Sequence, residues 1–215
     1  MVLSLFRSRV FVIGLVSGVC FFSGAAAFFL ISTVFLQDGL AYSARHAGLT
    51  FLWFAAAFLG SSLASVRVQP RLGSRIINLG AALMISGLVG LLCITFWRGA
   101  SLSSMDLAPV LLVYGTGQGF VMPTLINTIL INIKGADAGS ASGVLSTVQQ
   151  ASFATGVAVI GTVFFTALVK LGSIDGFIRA LRIAFSVNIC LLLVTFLLIL
   201  QIPRFPAGEH AKEQT

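Results

Sequence analysis

Acidic side chains are nearly missing from this sequence. Its 215 residues include 6 Asp and Glu and 13 Lys and Arg, so 9% of the chain is charged, against about 25% in a soluble globular domain. A water-soluble fold needs a polar shell, and so few charges cannot cover a chain that is 58% hydrophobic with a mean hydropathy of +1.06. A soluble enzyme, a disordered protein and a nucleic-acid binder are excluded on that ground. The net charge of +7 would suit a phosphate-rich partner, but the basic residues sit in short gaps between long apolar runs. There they read as markers of membrane sidedness.

Other absences narrow the chemistry. Cys20, Cys93 and Cys190 lie in separate apolar stretches without metal-ligand spacing, so they read as small hydrophobic filler and not as a disulfide or zinc set. His46, at a span end, and His210, in the tail beside Glu209, are lone histidines with no ligand set or catalytic pair around them in sequence. No Ser/His/Asp order, phosphate-cradling loop or carboxylate pair stands out, which argues against an enzyme and implies no metal and no cofactor. The acids Asp38, Asp106, Asp137, Asp175, Glu209 and Glu213 all fall in gaps or in the tail. A carboxylate held inside the membrane is a common proton-coupling group, because its pKa can be raised there. This chain by itself offers none.

What is present is a series of long apolar runs. A spanning helix needs about 20 predominantly apolar residues, and six stretches qualify: 10–36, 47–66, 76–97, 107–133, 141–169 and 180–202. None holds an Asp or Glu, and Arg182 is the basic residue inside them. The expected architecture is all-α: a polytopic membrane bundle of six helices over 10–202. A segment 1–9 precedes it and a short polar tail, 203–215, follows. Arg7 and Arg9 before an apolar run resemble a signal peptide, but the run continues to Leu36, well beyond a 7–15-residue apolar region of such peptides. Six spans put both termini on one side. That side carries Arg7, Arg9, Arg67, Arg71, Arg75, Lys134, Arg204 and Lys212, against Arg45, Arg98, Lys170, Arg179 and Arg182 on the other. The three arginines in the short 67–75 loop weigh most, so both termini are expected in the cytoplasm of a plasma or inner membrane.

Helices in a bilayer associate by close backbone approach, which small residues four apart permit. Such pairs recur at Gly14/Gly18, Gly115/Gly119, Gly135/Gly139/Gly143 and Ala154/Ala158. Pro123 in the fourth span removes a donor and crowds the carbonyl of Gly119, which predicts a bend without a break. At about 100° per residue, Tyr114, Gln118, Thr128 and Asn132 share one side of that span, with Thr116 and Asn127 opposite. In the fifth span Ser142, Ser146, Gln149 and Ser152 share an arc. These polar faces are either interhelical hydrogen-bonding surfaces or the wall of a polar path.

The stretch from Val113 to Phe165 resembles the major facilitator superfamily, in particular its fourteen-span drug:proton antiporter branch. The resemblance rests on Gly115-Thr-Gly117-Gln-Gly119 and Pro123, on the run from Ala138 to Gly143, on Gln150, and on Gly156-Val157-Ala158 with Gly161-Thr162. Phe35-Leu36-Gln37 and Ala47-Gly48-Leu49 agree more weakly. The 67–75 loop is similar to that family's cytoplasmic loop at Arg71, Gly73 and Arg75, although Pro70 stands where the family places an Asp. The resemblance implies the C-terminal six-helix half of a carrier, built as 3+3 inverted repeats. It implies multidrug-type efflux by alternating access and proton antiport, once a missing N-terminal half or a second copy completes the carrier. The alternative is a non-transporting membrane fragment that only packs with a partner bundle. Under the transporter reading, Tyr114, Gln118, Thr128 and Gln149 are the expected cavity wall. Arg71, Gly73 and Arg75 would shape a cytoplasmic gate, and Gly119 with Pro123 would form the kink. The implied partners are the lipid bilayer and a small amphipathic or cationic substrate.

Overall fold

The computed structural model describes residues 9–130, 135–169 and 174–201. Six long helices fill them: α1 (Arg9–Val34), α2 (Ala44–Leu72), α3 (Arg75–Arg98), α4 (Ser104–Leu130), α5 (Gly135–Val169) and α6 (Ile174–Leu200). All six contain stretches long and apolar enough to cross a membrane, as the composition predicts. The tail 203–215, most of the segment 1–9, and Asn132, Lys134 and Lys170 lie outside the described residues.

The connections are short because each helix end is closed locally. A π-helical turn, Phe35–Gly39, extends α1, and the Leu40 N–H donates to the Phe35 carbonyl at 2.9 Å. Ser43 then caps α2, its hydroxyl accepting the His46 N–H at 3.2 Å. At the far end, Gly73 adopts φ 54° and its N–H donates to the Gln69 carbonyl at 2.8 Å. A left-handed residue here suits glycine, and after Ser74 the chain enters α3. Between α3 and α4 the Asp106 carboxylate accepts the Ser103 N–H at 3.0 Å and pairs with Arg98 at 3.2 Å.

Two helices organise the packing. α4 lies between α2 and α3, and α1 lies between α5 and α6, while α1 and α4 touch each other lightly. The main contacts recur when α1, α2 and α3 are exchanged for α4, α5 and α6: α4–α2 matches α1–α5, and α4–α3 matches α1–α6, although α5 packs on α6 more extensively than α2 on α3. This is the packing of an inverted repeat. α3 and α6 also pack on each other and close one side of the bundle, whereas α2 and α5 do not pack together and leave the opposite side open.

Glycines set the closest approaches. A Cβ on Gly117 would meet the Gly80 carbonyl and Met84 of α3, and one on Gly80 would meet the Gly117 carbonyl in return. On another side of α4, Gly115 abuts the Phe54 carbonyl, and Gly119 abuts Ser61 and the Phe58 carbonyl of α2. Gly156 of α5 rests on the Ser23 backbone of α1. The other small pairs differ. Gly139 and Gly143 have no heavy atom within 4 Å of where a Cβ would stand, and Ala154 and Ala158 are exposed. Gly14 abuts Ile129 of α4, but Gly18 makes ordinary contacts. α4 runs through Pro123 as one helix, and the Gly119 close to that proline is itself a packing residue.

Gly117→Leu is expected to separate α3 from α4 at a cost of about 1–3 kcal/mol, the range for overpacking a tight interior. Gly48→Leu is expected to be neutral, because nothing lies within 4 Å of its position. Melting of the two purified variants, followed by the monodisperse fraction on size exclusion, distinguishes them; equal melting would refute the close-approach account.

Candidate functional site

The open side of the bundle is where α1 and α4 are left uncovered between α2 and α5. On α4 the uncovered positions recur at helical spacing: Met105, Pro109 and Leu112 are exposed, Thr116, Phe120 and Pro123 half-buried, and Asn127 exposed again. On α1 Val16, Val19 and Phe29 are exposed, and on α5 Gln150, Ala154 and Thr155 are exposed too. The surface is mainly apolar, with a few hydroxyls and two exposed amides, Asn127 and Gln150.

The hydroxyls on this side are turned inward to their own helices. Thr116 donates to the Leu112 carbonyl at 2.8 Å, Thr147 to Gly143 at 2.9 Å, Thr155 to Ala151 at 2.8 Å and Thr162 to Ala158 at 2.6 Å. The amides have no such option. Asn127, Gln150 and the half-buried Gln149 make no hydrogen bond among the described residues. An amide facing lipid is costly, so these side chains mark a surface that meets water, a solute or other protein.

Behind this surface lies a second polar layer, packed away inside the bundle. Tyr114 is fully buried, while Gln118 and Thr128 are 5% and 6% exposed. The Tyr114 ring stacks on Phe28 of α1 at 4.0 Å between centroids, and its hydroxyl neighbours Asn188 of α6. The Asn188 amide donates to the Gly24 carbonyl of α1 at 2.8 Å. Thr195 of α6 reaches the Ser17 carbonyl at 3.3 Å, and Ser23 reaches the Ser152 carbonyl of α5 at 2.9 Å. The Tyr114 hydroxyl, Gln118 Oε1, Thr124 Oγ1 and Asn188 Oδ1 are buried without a hydrogen-bond partner among the protein groups.

The sequence-based expectation therefore divides. Of the four residues assigned to a cavity wall, Tyr114, Gln118 and Thr128 sit in the inner layer and Gln149 is half-buried on α5. Thr116 and Asn127, on the opposite side of the α4 wheel, are the ones uncovered. A helical wheel separates two polar faces but does not say which one meets neighbouring helices. Gln150 was visible in the sequence only as part of the family-like run. It is exposed near the middle of α5. At the loop between α2 and α3, Gly73 shapes the turn and Arg75 is exposed; the Arg71 side chain is outside the described residues.

Comparison with known proteins bears on this arrangement. Residues 1–157 match the Major Facilitator Superfamily. A protein of Streptomyces coelicolor named as an actinorhodin transporter is 33% identical over 167 residues, which make up 77% of this chain and 29% of that protein. A puromycin resistance protein of Streptomyces alboniger is 28% identical over 81% of this chain and 37% of its own length. A protein of Serratia proteamaculans named for multidrug resistance is 28% identical over 74% of this chain and 33% of its own length. The chain thus spans roughly a third of each of these relatives.

The contact between Gly24 and Asn188 is testable. A Cβ at Gly24 would collide with the Asn188 amide, so Gly24→Ala is expected to lower stability by about 1–3 kcal/mol. Adding Asn188→Ala should restore most of that loss. Additive losses in the double variant would show that the two residues do not meet.

Proposed function

The chain belongs to the Major Facilitator Superfamily, and from that premise we propose that it forms the C-terminal six-helix half of a multidrug-type efflux carrier. Its open side, with α1 and α4 uncovered and α2 and α5 flanking, pairs with a second six-helix bundle, and the substrate sits between the two. Support comes from the inverted-repeat packing, in which one side is closed by α3 and α6 and the other is left open. The observation that carries the reading is the pair of exposed amides without a partner among the described residues, Asn127 on α4 and Gln150 on α5. Neither has a reason to face hydrocarbon, and both suit the wall of a hydrated path.

Alternating access follows as a rocking of one packed half against the other. The closed α3–α6 side and the glycine contacts of α4 make this half a unit that moves as a whole. Thr116, Asn127, Gln149 and Gln150 form the wall. Tyr114, Gln118 and Thr128 form the layer that supports it, and Arg71, Gly73 and Arg75 shape the cytoplasmic turn. The apolar wall with a few amides suits small amphipathic or cationic solutes, in keeping with relatives named for drug resistance. Asp38, Asp106 and Asp175 lie at helix ends and not within the bundle, so a proton-handling carboxylate belongs to the second half.

In cells carrying the complete carrier, Gln150→Ala and Asn127→Ala are expected to lower efflux by roughly twofold to tenfold each, the range for one lost hydrogen bond. Membrane abundance should not change. Gln118→Ala, in the inner layer, should lower abundance first. Unaltered efflux in both wall variants would sink the cavity assignment. A chain that associates with a partner bundle but supports no efflux in any context would favour the non-transporting fragment.

A further inference from the structure

Two arginines on the closed side of the bundle have chemistry that the carrier reading does not use. Arg182, one turn and more into α6, is half-buried and points back toward the end where α3 finishes. Its Nη2 donates to the Thr95 carbonyl at 2.7 Å, and its guanidinium lies 4.7 Å from the centre of the Phe96 ring. Thr95 is in the last turn of α3, where helix carbonyls lack intrahelical donors and the helix dipole favours a cation. One edge of Arg182 is thus spent on capping α3.

Arg179 is three residues earlier on the same face of α6. It is exposed and makes no hydrogen bond or ion pair among the described residues. Asp175, four residues before Arg179, does not pair with it, and the neighbouring Arg98 is already held by Asp106. Arg179 and Arg182 therefore stand one turn apart on α6, and neither pairs with a carboxylate among the described residues. Phe96, under the Arg182 guanidinium, and the next residue Trp97 are 73% and 89% exposed at the end of α3. Exposed aromatic rings at a helix end mark the level of the headgroups.

We propose that Arg179 and Arg182 bind the phosphate of an anionic phospholipid in the groove between α3 and α6, with Phe96 and Trp97 against its glycerol and acyl portion. Arginine suits this ligand because its planar group offers paired donors to phosphate oxygens. The headgroup supplies the missing negative charge. The occupied groove would fasten α6 to the end of α3 from outside the bundle.

The test uses the full chain released from membranes of mixed phosphatidylcholine and phosphatidylglycerol, with retained lipids weighed by native mass spectrometry. Phosphatidylglycerol should be enriched over phosphatidylcholine. Arg179→Gln, which removes no described contact within the protein, should cut that enrichment by about fivefold, the effect of one basic side chain near an anionic surface. Arg179→Lys should keep part of it. Equal retention of the two lipids, or an unchanged enrichment in Arg179→Gln, would overturn the proposal. So would displacement of the lipid by inorganic phosphate at equal concentration, since the aromatic rings would then contribute nothing.

Discussion

Close approach of α4 to its two neighbours is the constraint on which the rest of the bundle depends. In a bilayer, leucine against leucine is no better than leucine against a lipid tail, so the helices are held by backbone contact and by hydrogen bonds across them. α4 meets α3 where Gly80 and Gly117 face each other, and meets α2 where Gly115 and Gly119 lie on the backbone of Phe54 and Phe58. Approach this close allows Cα–H groups to meet opposing carbonyls, a contact worth about 0.5–1 kcal/mol. With α4 so placed, Tyr114 is driven into the centre, where Gly87 leaves room for its backbone and Phe28 receives its ring.

The α1 side of the repeat reaches the same packing by different chemistry. There a glycine contact, Gly156 on Ser23, is joined by three hydrogen bonds: Ser23 to Ser152, Asn188 to Gly24, and Thr195 to Ser17. Interhelical bonds of this kind contribute about 0.6 kcal/mol each on average. Their value lies as much in register as in energy, since sliding α6 by one turn would strand the Asn188 amide. The two halves of the repeat thus share an arrangement without sharing residues.

The number of helices and their apolar character were legible because the bilayer sets a length and forbids charge. The close pair Gly115/Gly119 was legible as well, since it serves backbone approach directly. Gly139/Gly143 has the same spacing and touches nothing, because spacing alone does not name a neighbour. The α4 wheel showed two polar faces, and residue chemistry could not rank them: in water the polar face is the outer one, whereas in a membrane either face can be covered. The contacts that decide the matter join residues far apart in the chain, such as Asn188 with Gly24, and leave no local pattern. Arg182 stood out as a lone cation in a span, but the Thr95 carbonyl that receives it could not be read from the sequence.

The inward-turned hydroxyls of α5 also bear on how that helix carries load. Ser142, Thr147, Ser152, Thr155 and Thr162 each donate to a carbonyl three or four residues earlier. Such bonds compete with the backbone ladder and ease bending. α5 is 35 residues long, and these weak points are spread along it at intervals of three to seven residues. Its compliance is therefore distributed, like that of a leaf spring, whereas α4 has in addition two prolines, Pro109 and Pro123, at which it can bend. A force applied at one end of α5 would be absorbed as curvature over several turns, without parting any single one of them.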